Sequence, residues 1–159
     1  TYPLMKRFTY WPQLFLGITF NYGLLLGWTS INTEFNLVPI ILYIGAIFWT
    51  LGYDTIYGYQ DIKDDEIIGL KSTSIKFKNK PYTFLFLCYF IYLLCLLIAG
   101  YLLNLNKISL IIFILIFIHM TYFQLKRLEI ENPKSCLVIF KSNNFLGLIV
   151  LIGLIIGKI

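Results

Sequence analysis

From Pro12 onward the chain alternates long apolar runs with short polar interruptions. The runs cover about 12–29, 37–59, 82–103, 108–124 and 137–157, each near the roughly 17–25 residues that cross a bilayer as a helix. No period-2 alternation, internal repeat or low-complexity stretch competes with them. The pattern predicts an all-α protein, a polytopic transmembrane helix bundle with five spans. Composition agrees: 58% of the 159 residues are hydrophobic and 13% are charged, about half the charged share of a soluble domain, which is roughly 25%.

The net charge of +5 would suit a polyanion partner only if the basic residues formed one surface, and they do not. Lys6 and Arg7 precede the first span, Lys63, Lys71, Lys76, Lys78 and Lys80 follow the second, and Lys126, Arg127 and Lys134 follow the fourth. This asymmetry is the positive-inside signature, so these loops are expected on the cytoplasmic side or its topological equivalent, and no nucleic-acid partner is expected. The chain begins with Thr1, on that inner side. It is therefore expected to be the C-terminal part of a longer protein with an even number of helices upstream. No secretory signal is visible, and Cys88, Cys95 and Cys136 fit no metal or redox spacing.

One polar interruption differs from the rest. In "YDTIYGYQDIKDDEIIGLKST", Tyr53 to Thr73, four of the eight acidic residues fall within Asp61–Glu66, and Asp54 lies just before them. If the helix of the second span runs on through this stretch, Asp54, Asp61 and Asp65 fall within about 40° of one another, flanked by Tyr57 and Gly58. Asp61 and Asp65 would then repel unless a cation sits between them. A solvated helix end and a Mg²⁺ site both fit "DDE" taken alone. Asp54, near the end of an apolar helix where carboxylates are costly, favours the site. Mg²⁺ takes one or two carboxylates and completes its octahedron with water and substrate phosphates, so the pattern predicts a phosphate-bearing substrate. Lys71, with Ser72 and Thr73, follows within one loop and is a candidate for the same phosphates.

These residues resemble the second aspartate-rich region of the UbiA-type intramembrane prenyltransferases, and within that family the 4-hydroxybenzoate polyprenyltransferases of ubiquinone biosynthesis. Tyr53, Asp54, Thr55, Tyr57, Asp61, Asp64, Asp65, Ile68, Gly69, Lys71, Ser72 and Thr73 match the pattern. The opening "YPLMKRFTYWPQLFLG", Tyr2 to Gly17, and the ending "FKSNNFLGLIVLIG", Phe140 to Gly153, are similar to further segments of the same enzymes. The resemblance implies a nine-helix bundle of which residues 1–159 supply helices five to nine. It also implies Mg²⁺ as cofactor, with Asp61 and Asp65 as metal ligands. The first motif of the family, NDxxDxxxD, is absent from this sequence.

The implied reaction transfers a polyprenyl group from polyprenyl diphosphate to the ring of 4-hydroxybenzoate, in the bacterial or mitochondrial inner membrane among membrane lipid, with the site toward cytoplasm or matrix. By resemblance Arg7 lies near the reaction centre, where a guanidinium fork suits the benzoate carboxylate. Lys71 and Ser72 would meet the diphosphate, and Asp54 and Tyr57 would orient the cation shell or the phenol. Alternatives are another aromatic acceptor, a half-bundle that only binds metal or partners, and a cation transporter. The last would place charges deep in several spans, whereas here they crowd at one face. His119 is expected in an interhelical hydrogen bond, and Asn143 and Asn144 either as interhelix glue or as cavity lining.

Overall fold

The computed structural model describes residues 2–31 and 36–159. Five helical segments are long and apolar enough to cross a membrane: Pro12–Ile31, Leu37–Gly58, Pro81–Leu102, Lys107–Leu125 and Pro133–Ile156. They agree with the five predicted runs, and no strand occurs among the described residues. The chain is an integral membrane protein.

The spans start where a side chain can satisfy the first free N–H groups of a helix, which lipid cannot do. Asn36 accepts from Val38 at the start of α4 (Leu37–Gly58), and Asn106 accepts from Ser109 at the start of α8 (Lys107–Ile118). Asn132 accepts from Lys134 and Ser135 ahead of α9 (Pro133–Ile156), and proline opens both α9 and α7 (Pro81–Leu102). Two short helices open the chain: α1 (Tyr2–Phe8) and the first half of the first span, α2 (Pro12–Phe20). The second half of that span is α3 (Tyr22–Ile31).

The first span is broken at Asn21, where one continuous helix was predicted. The Asn21 amide donates to Gly17 O at 2.8 Å, Ala46 O at 3.3 Å and Thr50 Oγ1 at 2.8 Å, so it ties the interruption to α4. Asparagine competes for backbone hydrogen bonds, which is the local reason the helix yields here. α3 buries none of its residues.

α4 is the central helix, with its most extensive contact against α7 and further contacts to α2, α3 and α9. The α4–α7 approach is close because α4 presents glycine. A Cβ on Gly45 would lie 2.7 Å from Cys95 Cβ, and one on Gly52 would lie 2.7 Å from the Tyr89 ring. Small residues at helix crossings are how membrane helices gain van der Waals contact without a hydrophobic driving force. Cys88 is buried in this seam, as a packed apolar residue.

α8 ends in a π-helical turn, His119–Leu125, which shifts the face presented to α9. Gln124 Nε2 donates to Ser142 Oγ at 2.8 Å across that contact. His119 makes no interhelical hydrogen bond among the described residues. It stacks on Phe123 at 5.4 Å and lines an apolar groove of about 250 Å³ with Phe145 and Leu146, so the expected polar bridge is replaced by ring contact.

The connection between α4 and α7 and the one between α8 and α9 lie at one end of the bundle, joined by Tyr82 Oη donating to Leu128 O at 3.0 Å. Cations there lie over rings: Lys76 over Trp11 at 4.3 Å, Lys126 over Tyr122 at 4.6 Å and Arg127 over Phe123 at 5.4 Å. Stems on aromatic surface with heads at the rim suit a membrane–water boundary.

Candidate functional site

At this end α4 stops at Gly58, three residues before Asp61. The predicted continuous helix carrying Asp54, Asp61 and Asp65 on one stripe is therefore replaced by a turn and a new helix, α5 (Ile62–Ile68). Tyr59 N and Gln60 N bond to Ile56 O and Tyr57 O at 3.2 and 3.1 Å, tightening the last turn. The Gln60 amide adds a donor to Tyr57 O at 3.2 Å. Tyr59 is buried beneath this turn, and burial, then the proximity of Cys136 and Tyr82, raises its phenol above the ordinary value. It is neutral at physiological pH.

α5 keeps Asp61 and Asp65 one helical turn apart, with Asp65 N bonded to Asp61 O at 2.9 Å. It closes on Gly69, whose φ of 77° gives the left-handed cap. Leu70 N reaches Asp65 O at 2.8 Å and Gly69 N reaches Glu66 O at 3.2 Å, a Schellman closure. The carboxylates differ in setting. Asp61 is exposed and, among the described residues, makes no ion pair or side-chain hydrogen bond. Asp65 is 6% exposed, and Lys6 Nζ reaches its Oδ2 at 2.8 Å. The Lys6 carbonyl also accepts from Lys71 N at 2.7 Å, so one residue of α1 holds the middle of α5 through its side chain and the segment after α5 through its backbone.

The remaining predicted residues lie around this turn in different roles. Asp54 is buried near the end of α4. Tyr57 is 41% exposed and tilts against Phe140 of α9 at 4.8 Å. Arg7 is exposed at the end of α1. Lys71 Nζ lies 5.6 Å from the Tyr10 ring centre. Ser72 is fully buried and caps α6 (Thr73–Lys76), accepting from Ile75 N at 3.2 Å. Its hydroxyl is engaged by the fold.

Sequence reasoning missed the knot that sets this loop down. Thr73 N donates to Gln13 Oε1 at 3.0 Å, and Ser74 Oγ donates to Thr55 O at 2.8 Å. Thr55 Oγ1 donates to Leu51 O at 2.6 Å, so in its 2.6 Å contact with Thr73 Oγ1 it is the acceptor. Gln13, Thr55, Thr73 and Ser74 are all buried. The available signal was a glutamine directly after Pro12 inside an apolar run. Gly58 closes the knot: a Cβ there would run into Ser74 Oγ and meet Gln13 Nε2 at 3.3 Å. Gly58→Ala is expected to cost about 1–3 kcal/mol through overpacking, beyond the gain in helix propensity of about 1 kcal/mol. Thermal unfolding of the purified protein in detergent checks this, and an unchanged Tm would refute it.

Below the turn, α2, the Asn21 break, α4 and α9 line a cavity of about 370 Å³ whose walls include Asn21, Trp49, Tyr53, Phe140, Asn143 and Asn144. Trp49 Nε1 donates to Asn143 Oδ1 at 3.0 Å, so Asn143 both bridges helices and faces the cavity. Trp49, Tyr53 and Tyr57 repeat every four residues on α4. Ring contacts of 5.8 Å (Trp49–Tyr53) and 5.7 Å (Tyr53–Phe140) continue to Tyr57. An aromatic wall thus leads from the cavity toward the acidic turn.

No cluster of three or more His, Cys, Asp or Glu that could hold a metal occurs among the described residues. A closed metal cage is not the match. Two hard carboxylates one turn apart, one of them facing water, suit a divalent cation that brings its other oxygens with it, as Mg²⁺ does on a diphosphate.

Comparison with known families shows where the chain belongs. The model of the UbiA prenyltransferase family matches residues 1–149. The chain belongs to this family. Among its UbiA relatives, the mitochondrial 4-hydroxybenzoate polyprenyltransferase of Homo sapiens is 42% identical over 168 residues, covering 100% of this chain and 43% of the relative. That of Bos taurus is 41% identical, with the same coverage. The 4-hydroxybenzoate geranyltransferase 2 of Lithospermum erythrorhizon is 36% identical, covering 99% of this chain and 52% of the relative. The chain spans about half, or less, of the length of these UbiA relatives. No solved structure matches it.

Proposed function

We propose that the chain serves as the C-terminal part of a membrane-embedded enzyme that transfers a polyprenyl group from polyprenyl diphosphate to the ring of 4-hydroxybenzoate, in ubiquinone biosynthesis. The observation that carries this reading is the acidic turn at the head of an aromatic-walled cavity. It is supported by relatives named for 4-hydroxybenzoate prenylation that match the whole chain. The bacterial or mitochondrial inner membrane is the proposed location, with the turn toward cytoplasm or matrix. The basic loops at that end support the orientation, and the mitochondrial names of several relatives support the second of these membranes.

In this mechanism Asp61 and Asp65 hold the diphosphate end. Mg²⁺, when bound, supplies Lewis-acid neutralisation of the leaving group. The chain's own residues do the rest. Lys71 lies one loop away from the turn and adds positive charge toward the departing diphosphate. As the allylic C–O bond breaks, positive charge grows on the prenyl carbon, and Tyr57 and Phe140, in contact with each other at 4.8 Å, supply aromatic surface that stabilises it. The ring carbon ortho to the phenol attacks that carbon, and the ring then loses its proton. Arg7 pairs with the benzoate carboxylate, and Asp54 and Tyr57 orient the phenol.

The test is a membrane assay of the intact protein, produced in cells lacking their own 4-hydroxybenzoate prenyltransferase, with labelled 4-hydroxybenzoate and a polyprenyl diphosphate. Mg²⁺-dependent appearance of ring-prenylated 4-hydroxybenzoate is expected. Turnover only with a different aromatic acceptor would overturn the substrate assignment, and no turnover with any acceptor would leave a non-catalytic binding module.

A further inference from the structure

The acidic turn already contains a cation. Lys6 Nζ sits 2.8 Å from Asp65 Oδ2, and the two side chains are 23% and 9% exposed, so the pair is largely withdrawn from water. Partners 59 residues apart meet because the backbone bond from Lys71 N to Lys6 O seats Lys6 beside the segment that follows α5. That bond holds α1 independently of the Lys6 side chain. The ammonium can therefore leave Asp65 without releasing the segment.

We propose that Lys6 is a built-in counter-cation of the acidic turn, holding Asp65 until a divalent cation displaces it. The inference rests on the reading of Asp61 and Asp65 as metal carboxylates. Its physical basis is like-charge exclusion. A divalent ion on Asp65 would sit beside an ammonium on the same carboxylate in a poorly solvated corner, where repulsion between cations is weakly screened. Sharing is unfavourable, and exchange keeps one positive partner on the buried carboxylate at every stage. The exchange explains how two carboxylates one turn apart persist in a membrane-edge site before any metal arrives: Asp65 is neutralised by Lys6, and Asp61, exposed, keeps its charge in solvent. Arg7, the neighbouring cation, is exposed and free of described ion pairs, so it is not the occupant of this position.

Linkage fixes the sign of the test. If metal and Lys6 compete for Asp65, removing Lys6 strengthens metal binding by the factor that metal binding weakens the ion pair. Mn²⁺ alone, titrated into the intact protein in detergent and followed by electron paramagnetic resonance, is the probe. Lys6→Gln is expected to bind Mn²⁺ about 5- to 10-fold more tightly than the wild type, at the low end of typical coupling between sites. Lys6→Arg is expected to stay near the wild type, and Asp61→Asn and Asp65→Asn to lose binding. In the wild type, acetylation of Lys6 read by mass spectrometry should be slow without metal and should accelerate with Mn²⁺, relative to exposed Lys63.

Unchanged or weaker Mn²⁺ binding in Lys6→Gln, with the Asp variants still losing it, would overturn the displacement and leave Lys6 a strut or an orienting group. Mn²⁺ binding indifferent to both Asp variants would instead overturn the metal reading itself. Should Lys6→Gln fail to fold, the labelling of the wild type decides: equal Lys6 reactivity with and without Mn²⁺ refutes the exchange.

Discussion

Asp61→Ala and Asp65→Ala should each reduce prenyl transfer by the intact protein about 10³-fold or more, the equivalent of some 4 kcal/mol of charge stabilisation at the leaving group. The fold should survive both. Asp61 is exposed, and the Lys6 ammonium left by Asp65→Ala, with 23% of its side chain exposed, reaches water. The double variant should be little worse than either single one, because one carboxylate alone is a poor site and removing the second takes away little more. The measurement is kcat at saturating Mg²⁺ and saturating substrates, with Tm in detergent as the folding control. Near-full turnover in Asp61→Ala would remove the pair from the mechanism, and losses that simply add would mean the two carboxylates act in separate sites.

How much of this was legible in the sequence depends on the range of the interaction. The five spans were readable because each is a long apolar run, and the helical segments they form are 19–24 residues long. The position of the acidic turn at a span end was readable for the same reason. The break between Gly58 and Ile62 was not, since Tyr59, Gln60 and Asp61 include neither proline nor glycine. What stops α4 is the seat of Gly58 against Ser74 and Gln13 and the Gln60 amide on Tyr57 O, and the seat is made by residues distant in sequence. The angular argument that put Asp54 on the same stripe as Asp61 and Asp65 therefore rested on a helix that does not continue, whereas the i, i+4 relation of Asp61 and Asp65 survives inside the α5 turn.

Two neighbouring carboxylates were expected to need a cation between them; the cation the structure shows is a lysine 59 residues away, on Asp65 alone. Lys6 and Arg7 are adjacent, and no pattern in the sequence tells which of two adjacent cations turns toward α5. The same limit applies to Ser72. Its place in a run of Lys, Ser and Thr suggested phosphate contact, yet a serine followed three residues later by a free helical N–H serves equally as a cap, and α6 uses it so.

Arg7→Lys should weaken use of 4-hydroxybenzoate although the positive charge is kept. A carboxylate is matched by the planar fork of a guanidinium and only loosely by the point charge of an ammonium. Arg7 suits the assignment because it is exposed beside Lys6, with no described ion pair to give up when an acceptor arrives. Arg7→Ala should lose about 2–5 kcal/mol of transition-state stabilisation, the range for truncating one partner of a hydrogen-bonded charge pair that closes off from water. That corresponds to a fall of roughly 30-fold to several thousand-fold in kcat/KM for 4-hydroxybenzoate. The KM for polyprenyl diphosphate should change little, since Asp61 and Asp65 hold that end. The two substrates are to be varied separately in the intact protein, and an acceptor lacking the carboxylate gives the sharper comparison. With that acceptor, wild type and Arg7→Ala should be equally slow. A defect confined to polyprenyl diphosphate would place Arg7 on the phosphates, and the carboxylate would then need another cation from the same end of the bundle.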